Sequence, residues 1–510
     1  MKLKKVISGN QLKNKMQEAI NLLCDTVKIT LGPKGNNIII DHSTFSPFIT
    51  NDGVTIAKNI ESDDEIINTI LELAKESSIK TNDTVGDGTT TTLVLLQSIF
   101  NSGLKYIENG KNALILKKEI DETLHEIISY LELKSQKPTK EQLTDIARIS
   151  ANNKEIGNII SKCYFKVKSK DAIKIEETEN IKNSYKFLKG YSFQTVLASP
   201  YFFKENKGLE FNNCYLLLLN DYLDNISYVS NIINEKIEEN KPLVIMALDY
   251  SDDFVNEIVS LYLENNLQIC LLKNPEYGIK QYKIFKDLSN ISKGPIYNLE
   301  NLNNNLGWVS KITLNNDFTT IEFSKNKKYL KDLKKDFDYV DTELDIEFYS
   351  KRIAMFKNGL AKIEVGAPTI TERREKKMRF EDALWAIDCA AKGILPGSGI
   401  VFLELSEKLK INTDGDNVLK EALQEPFKQI MINSAIDSHS IISEIKKSNY
   451  QKLFNINTNS YESITDTKVL DPTIVIINSL VNACSIATML LTTSSLVINE
   501  YESFNKTDEY

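Results

Sequence analysis

Midway along the chain the apolar pattern changes period, and that change limits the architectures open to it. Three short runs, residues 215–219, 242–247 and 267–272, are apolar at almost every position. Between them lie stretches with helical spacing: Val229, Ile232, Ile233 and Ile237, then Phe254, Val255, Ile258, Val259 and Tyr262. A strand covered on both faces needs an unbroken apolar run, and alternation with helices predicts a parallel α/β sheet. On either side only the helical period is found. Leu12, Met16, Ala19, Ile20, Leu23 and Val27 follow it near one end, and residues 384–391, 402–409 and 418–432 near the other. The pattern predicts an α/β domain inserted into a helical one, with both chain ends in the helical part. At roughly 100–200 residues per domain, 510 residues make about three domains. Gly190 and Gly359 bracket the insert and read as hinges or as ordinary turns.

Composition excludes several classes. Hydrophobic residues make up 42% and charged residues 26%, as in an ordinary globular protein rather than a disordered chain. A net charge of −8 argues against a dominant nucleic-acid role, which needs a basic face. The six cysteines are scattered without a C-x-x-C pair, as expected of reduced thiols in a cytosolic protein. Three histidines are too few for a His-rich metal site. The basic N-terminus lacks the apolar core of a signal peptide. The most apolar stretch, residues 474–498, is interrupted by Asn478, Ser479, Asn482, Ser485 and Thr488, which suits a buried helix better than a membrane span. Asp471 is expected as its N-cap and Pro472 in its first turn.

Five segments carry candidate chemistry. Gly86-Asp87-Gly88-Thr89-Thr90-Thr91-Thr92 opens an apolar helix. Glycines admit a ligand close to the backbone, a helix N-terminus offers free N–H groups to phosphate, and Asp87 can hold Mg²⁺ on phosphate oxygens. The same segment reads equally as a polar cap on a core helix. Thr30-Leu31-Gly32-Pro33-Lys34-Gly35 reads first as a turn. Asn51-Asp52-Gly53 reads as a hairpin turn, or places Asp52 to orient a water. Pro396-Gly397-Ser398-Gly399 precedes another helix and can admit a sugar or phosphate. Asp382, in Glu381-Asp382-Ala383-Leu384, is a candidate general base or belongs to a solvated helix face.

Together these segments resemble the GroEL-type (group I) chaperonins from about Leu3 to Val497. Further colinear matches are Ile149-Ser150-Ala151-Asn152, Ser199-Pro200-Tyr201-Phe202, Lys241-Pro242-Leu243, Glu375-Lys376-Lys377 and Leu470-Asp471-Pro472-Thr473. The resemblance implies a multidomain α and α/β fold. The implied parts are a helical equatorial ATPase domain (1–133 and 394–510), a small intermediate domain (134–189 and 360–393) and an inserted apical α/β domain (190–359). It implies an ATP-dependent chaperone built from two stacked seven-membered rings, with unfolded client proteins and a small ring cochaperonin as partners. ATP, Mg²⁺ and K⁺ are the implied cofactors and the bacterial cytoplasm the implied location.

Residue by residue, the resemblance makes Asp87 the Mg²⁺ ligand and Gly88, Thr89, Thr90 and Thr91 the phosphate cradle. Thr30, Leu31, Gly32 and Pro33 border the nucleotide, with Thr30 and Thr90 holding K⁺. Asp52 and Asp382 position the attacking water, and Asp382 is expected to arrive on the intermediate domain when ATP binds. Asn51, Gly53, Ser150, Gly399, Asn455 and Asp471 complete the nucleotide site. Leu197, Tyr201, Phe202, Ile233, Val255 and Val259 are the implied client-binding rim.

The chain departs from the family at several places. A family lysine is Asn51, a triple glycine is Gly397-Ser398-Gly399, and two apolar groove positions are Ser230 and Ser260. An arginine–glutamate pair between subunits corresponds to Thr195 and Ile370, and the chain ends at residues 503–510 without a Gly-Met-rich tail. Weakened cochaperonin binding and altered cooperativity are expected. The alternative expectation is a degenerate chaperonin that holds clients with slow or uncoupled ATPase. A small-molecule kinase lacks a substrate constellation beside the nucleotide motifs.

Overall fold

A computed structural model describes residues 3–41, 47–151, 153–188, 190–203, 208–265, 267–316, 318–323, 327–339 and 342–500. Asn152 of the Ile149-Ser150-Ala151-Asn152 match and the tail residues 503–510 lie outside the described residues. The chain divides into two compact units, one of residues 1–161 and 378–510, the other of residues 162–377.

The first unit is a helical bundle. Helices Thr89–Glu108 and Thr473–Thr492 sit at its centre, packed on each other and on Glu65–Val85. Both are apolar nearly all round, as a helix surrounded by others must be. Leu93, Leu95, Leu96 and Ile99 are fully buried on one, and Leu480, Ala483, Cys484 and Ala487 on the other. Each fully buried Leu or Ile side chain contributes about 1.5–3 kcal/mol. Gly9–Lys28 and Asp414–Asn433 flank the pair and bury the periodic residues read from the sequence. Thr473–Thr492 is long and apolar enough to cross a membrane, but its packing is that of a core helix. Leu3–Ser8 pairs antiparallel with Ser495–Glu500, joining the two ends of the chain.

Two local expectations change. Phe48–Thr50 pairs with Ile38–Ile40, but residues 54–56 form no return strand: Gly53–Lys58 is a helix, and Asp52 is its N-cap. Helix Thr473–Thr492 is capped by Pro472, while Asp471 belongs to the short strand Leu470–Pro472, paired with Ile394–Pro396. Pairing with Leu395 holds Asp471 at a strand position instead of a cap.

The second unit contains the expected insert. Its sheet runs Ile269–Lys273, Leu243–Ala247, Leu209–Leu219, Gly307–Leu314, Phe318–Glu322, Gly190–Gln194, with Ile296–Tyr297 beside the end of Leu209–Leu219. The three strands read from sequence are mutually parallel, with helices Ser230–Glu238 and Asp252–Asn265 between them in the chain. The remaining long strands are antiparallel, so the sheet is mixed. Leu360–Val365 is the middle strand of a second, three-stranded sheet with Ile173–Glu177 and Ser184–Leu188. All six cysteines are buried free thiols.

Candidate functional site

The site is built on the turn between helices Glu65–Val85 and Thr89–Glu108. Gly86 (φ +67°) and Gly88 (φ +81°) both take the left-handed conformation that favours glycine. Neither has room for a Cβ, which would lie 2.5 Å from the Trp385 ring at Gly86 and 2.5 Å from Ser479 Oγ at Gly88. Asp87 is held between them, accepting the Gly88 N–H at 2.6 Å. Beyond it the first turn of Thr89–Glu108 presents N–H groups that have no partner within the helix.

The segment around Thr30 and the Asp52 cap close on this turn. Thr30 donates to the Val27 carbonyl, and its hydroxyl oxygen lies 3.4 Å from that of Thr90. Gly53 approaches so closely that a Cβ there would sit 2.4 Å from Thr90 Oγ1 and 2.8 Å from Thr89 Oγ1. Asp52 accepts from the Thr55 N–H and hydroxyl through Oδ2 alone. Asp382 lies one helical turn before Trp385, the residue packed on Gly86, so one helix face carries both toward the loop. This part of the helix Ile370–Lys392 belongs to the same compact unit as Asp52 and Asp87.

Together these segments border a cavity of about 1110 Å³, larger than the usual site for a drug-sized ligand. Leu31, Gly32, Pro33, Asn51, Asp87, Gly88, Thr91, Gly399, Asn455 and Asp471 all line it. Thr30, Gly53, Thr89 and Thr90 form the layer just described behind the turn of residues 86–88. Asp52 and Asp382 lie off the lining, and so does Ser150, the last residue of helix Lys140–Ser150.

The carboxylates repel one another. Burial raises Asp87 above the usual range, against the Gly88 N–H that lowers it, and Asp52 adds to the rise. Asp471 is pushed up to about 7 by burial and by Asp87. Asp382 is pushed up to about 7 by desolvation and by Asp87, Asp52 and Glu381, with Arg379 opposing. Asp382 and Asp87 keep solvent-exposed surface, so water screens part of this repulsion. A cluster of this kind favours a cation. Among the described residues no three His, Cys, Asp or Glu side chains gather as a metal cage. Mg²⁺ does not need one, since it takes one or two carboxylates and completes its shell with phosphate and water oxygens. Asp87 fits that use, and the paired hydroxyls of Thr30 and Thr90 are oxygen donors of the kind K⁺ takes.

Sequence reasoning missed the cations. Arg148, Lys154 and Lys468 line the cavity. Asp145 holds two of them, at 2.9 Å from Arg148 Nη1 and 3.2 Å from Lys468 Nζ. Their only sequence signal was proximity to the 149–152 and 470–473 matches. Asn455, on the cavity lining, is also engaged in the fold. Its Oδ1 accepts the N–H of Asn457 and Thr458, and its Nδ2 donates to Glu462, so the side chain braces the turn between Lys452–Asn455 and Ser460–Ser463. Asn457 lines the cavity beside it, with a side-chain amide that makes no hydrogen bond among the described residues.

In the second unit, Tyr201 is 68% exposed, while Phe202, Ile233 and Val259 are buried and Leu197 and Val255 half-buried. Ile233 and Val259 therefore do not form an exposed rim here. They pack in the helical layer because burial of their side chains favours it. Phe202 stacks edge-on against Tyr262. Thr195 turns inward to hydrogen-bond Thr319, whereas Ile370 is exposed.

The sequence profile of the TCP-1/cpn60 chaperonin family matches residues 23–271 and 279–500. Among solved structures, the chaperonin gp146 of bacteriophage EL 2 (Pseudomonas aeruginosa), crystallised in the presence of ATP-BeFx, is similar over 97% of this chain and 99% of that one. Sequence identity is 18%, with a TM-score of 0.79 for one crystal form and 0.72 for another. At that identity the likeness is one of fold.

Proposed function

This chain belongs to the TCP-1/cpn60 chaperonin family, and from that premise we propose that it is an ATP-driven chaperone that binds non-native proteins and assists their refolding in a ring cavity. The observation that carries the nucleotide reading is the convergence of Asp87, Gly88, Thr91, Gly399 and Asp471 on one cavity at a helix N-terminus. The phage protein's structure with ATP-BeFx supports the same ligand class. In this reading the phosphates lie on the Gly88–Thr91 backbone and the ribose lies between Gly399 and Asp471. Mg²⁺ bound at Asp87 supplies charge neutralisation for the phosphates, with K⁺ near Thr30 and Thr90. Asp52 keeps Oδ1 free of hydrogen bonds among the described residues and orients water through it. Asp382, when ionised, accepts the water's proton.

The three-part division into equatorial, intermediate and apical domains, the two seven-membered rings and a cytoplasmic location belong to the same proposal. The six reduced thiols suit that compartment. A second reading, a holding chaperonin with weak cochaperonin affinity, draws on one observation. The groove serines Ser230 and Ser260 are polar, and Ile233 and Val259 are buried.

Steady-state ATP hydrolysis by purified protein with Mg²⁺ and K⁺, beside Asp382→Ala, tests the first reading. A fall of about 10²-fold or more in kcat is expected if Asp382 is the general base. Equal activity in both proteins would remove Asp382 from the mechanism, and no activity in either would favour the holding reading.

A further inference from the structure

We infer that four buried side chains, Asn482, Thr81 and Thr92 behind the cavity wall and Ser479 at its lining, act as positioning residues that aim the phosphate-binding N–H groups. The inference rests on the nucleotide reading above and assigns the groups that set its geometry.

A hydrogen-bonded chain runs through the bundle to the phosphate turn. Asn482 Nδ2 donates to Thr81 Oγ1 at 2.9 Å. Thr81 and Thr92 hydroxyls are 3.1 Å apart, and Thr92 Oγ1 donates to the Gly88 carbonyl at 3.0 Å. Ser479 Oγ donates to the same carbonyl at 3.2 Å, beside the helical bond from the Thr92 N–H at 2.9 Å. One oxygen thus gathers three donors. All four side chains are at most 3% exposed.

The polarity is not needed to pack the helices. Replacing both partners of a buried hydrogen bond by apolar groups of the same shape is often nearly neutral. Its direction explains more. Thr81 also lies 2.8 Å from the Ser77 carbonyl, so two hydroxyl protons face several acceptors. In the order Asn482 to Thr81 to Thr92 to Gly88 each link of that chain carries one proton while the Ser77 carbonyl competes for the Thr81 proton, and bonds aligned in this way strengthen one another.

The Gly88 carbonyl and the Thr89 N–H belong to one trans peptide and point in opposite directions. Donors that hold the carbonyl into the bundle therefore hold the Thr89 N–H outward at the helix N-terminus. Gly88 (φ +81°) lacks a Cβ to restrain its backbone, so without these donors its peptide plane is freer to rotate.

The test is calorimetric binding of Mg-ADP to the full chain and to variants, with ATP kcat and KM. Thr92→Val keeps the shape and removes the donor. It is expected to weaken Mg-ADP binding about fivefold, the worth of one net hydrogen bond, and to raise KM more than it lowers kcat. Thr92→Ser is expected to restore binding. Ser479→Ala, a milder variant, is expected to weaken it about two- to threefold. Thr123→Val is the control, since Thr123 is a buried threonine of the same unit bonded to Asp416 at 2.6 Å. It is expected to lower thermal stability without changing nucleotide affinity. Wild-type affinity in both Thr92→Val and Ser479→Ala overturns the inference, as does equal weakening in Thr123→Val. A wild-type protein that binds no Mg-ADP overturns the nucleotide reading itself.

Discussion

The two units use buried polarity differently. In the first, neutral side chains pass hydrogen bonds inward from Asn482 to Gly88, and the chain ends beside a cavity. In the second, a charged pair closes on itself. Asp287 accepts from Arg352 Nε at 2.6 Å and Nη2 at 2.8 Å, and from the hydroxyls of Tyr191 and Tyr329. Both charges are almost fully buried, and the four residues lie on three helices and a strand. Neutral bonds can orient a loop at little desolvation cost. A buried ion pair is costly to form and more costly to break, so it serves to fix one packing. The contrast suggests that polarity tunes a binding geometry in one unit and secures architecture in the other.

Breaking the ion pair gives the largest effect. Asp287→Ala leaves Arg352 charged and unpaired in the core, where Nη1 already lacks a hydrogen-bond partner among the described residues. Loss of one partner of such a pair costs about 3–5 kcal/mol, or a fall of roughly 10 °C in the transition of a unit this size. Differential scanning calorimetry should show that fall with Mg-ADP affinity unchanged. A matching loss of affinity would end the contrast between the units.

The next effect is a pH dependence peculiar to the first unit. Asp471 titrates near 7 in the fold and near 3.9 when unfolded. Between those values the folded state binds the extra proton, so this group's contribution to stability falls as pH rises from about 4 to about 7. Asp471→Asn should therefore stabilise the unit, with no gain below about pH 4 and a plateau of at most about 4 kcal/mol above about pH 7. Denaturant titrations at several pH values measure it. Asp64 and Asp416, whose pKa values are lowered, contribute in the opposite direction. For catalysis the sign is also fixed: hydrolysis should fall as pH drops through about 7 and Asp382 takes up its proton.

The sequence carried much of this because some constraints are local. Gly86, Asp87 and Gly88 are legible as a tight turn before a helix since adjacent residues supply both the backbone freedom and the helix N-terminus. The parallel strands of the insert are legible because unbroken apolar runs need cover on both faces. Asn482 and Thr81 were opaque: they lie 401 positions apart, and only the packing of two helices makes them partners. Asp287 and Arg352, 65 positions apart, gave no signal for the same reason. Asn51-Asp52-Gly53 was misread as a hairpin turn because Asp is as good an N-cap as it is a turn residue. The antiparallel half of the large sheet was missed because half-exposed strands such as Gly307–Leu314 carry weak, alternating patterns.

The smallest effect concerns the groove, where the contrast is sharpest against what the family resemblance implies. Ser260 is exposed on helix Asp252–Asn265, its hydroxyl turned back onto the Asn256 carbonyl at 2.9 Å. It thus offers a passing apolar segment neither surface nor a free donor. Val259 beside it is buried and already committed to packing. Leucine at position 260 adds apolar area without disturbing that packing, because the site is open to solvent. If half of that side chain is covered by a bound segment, the gain is about 1 kcal/mol, or roughly fivefold in affinity. Fluorescence anisotropy with a labelled apolar peptide should show that tightening in Ser260→Leu, with ATP hydrolysis unchanged. Unchanged peptide affinity would mean that clients bind elsewhere on the insert, for example around Tyr201, and that the serine departs from the family without consequence for binding.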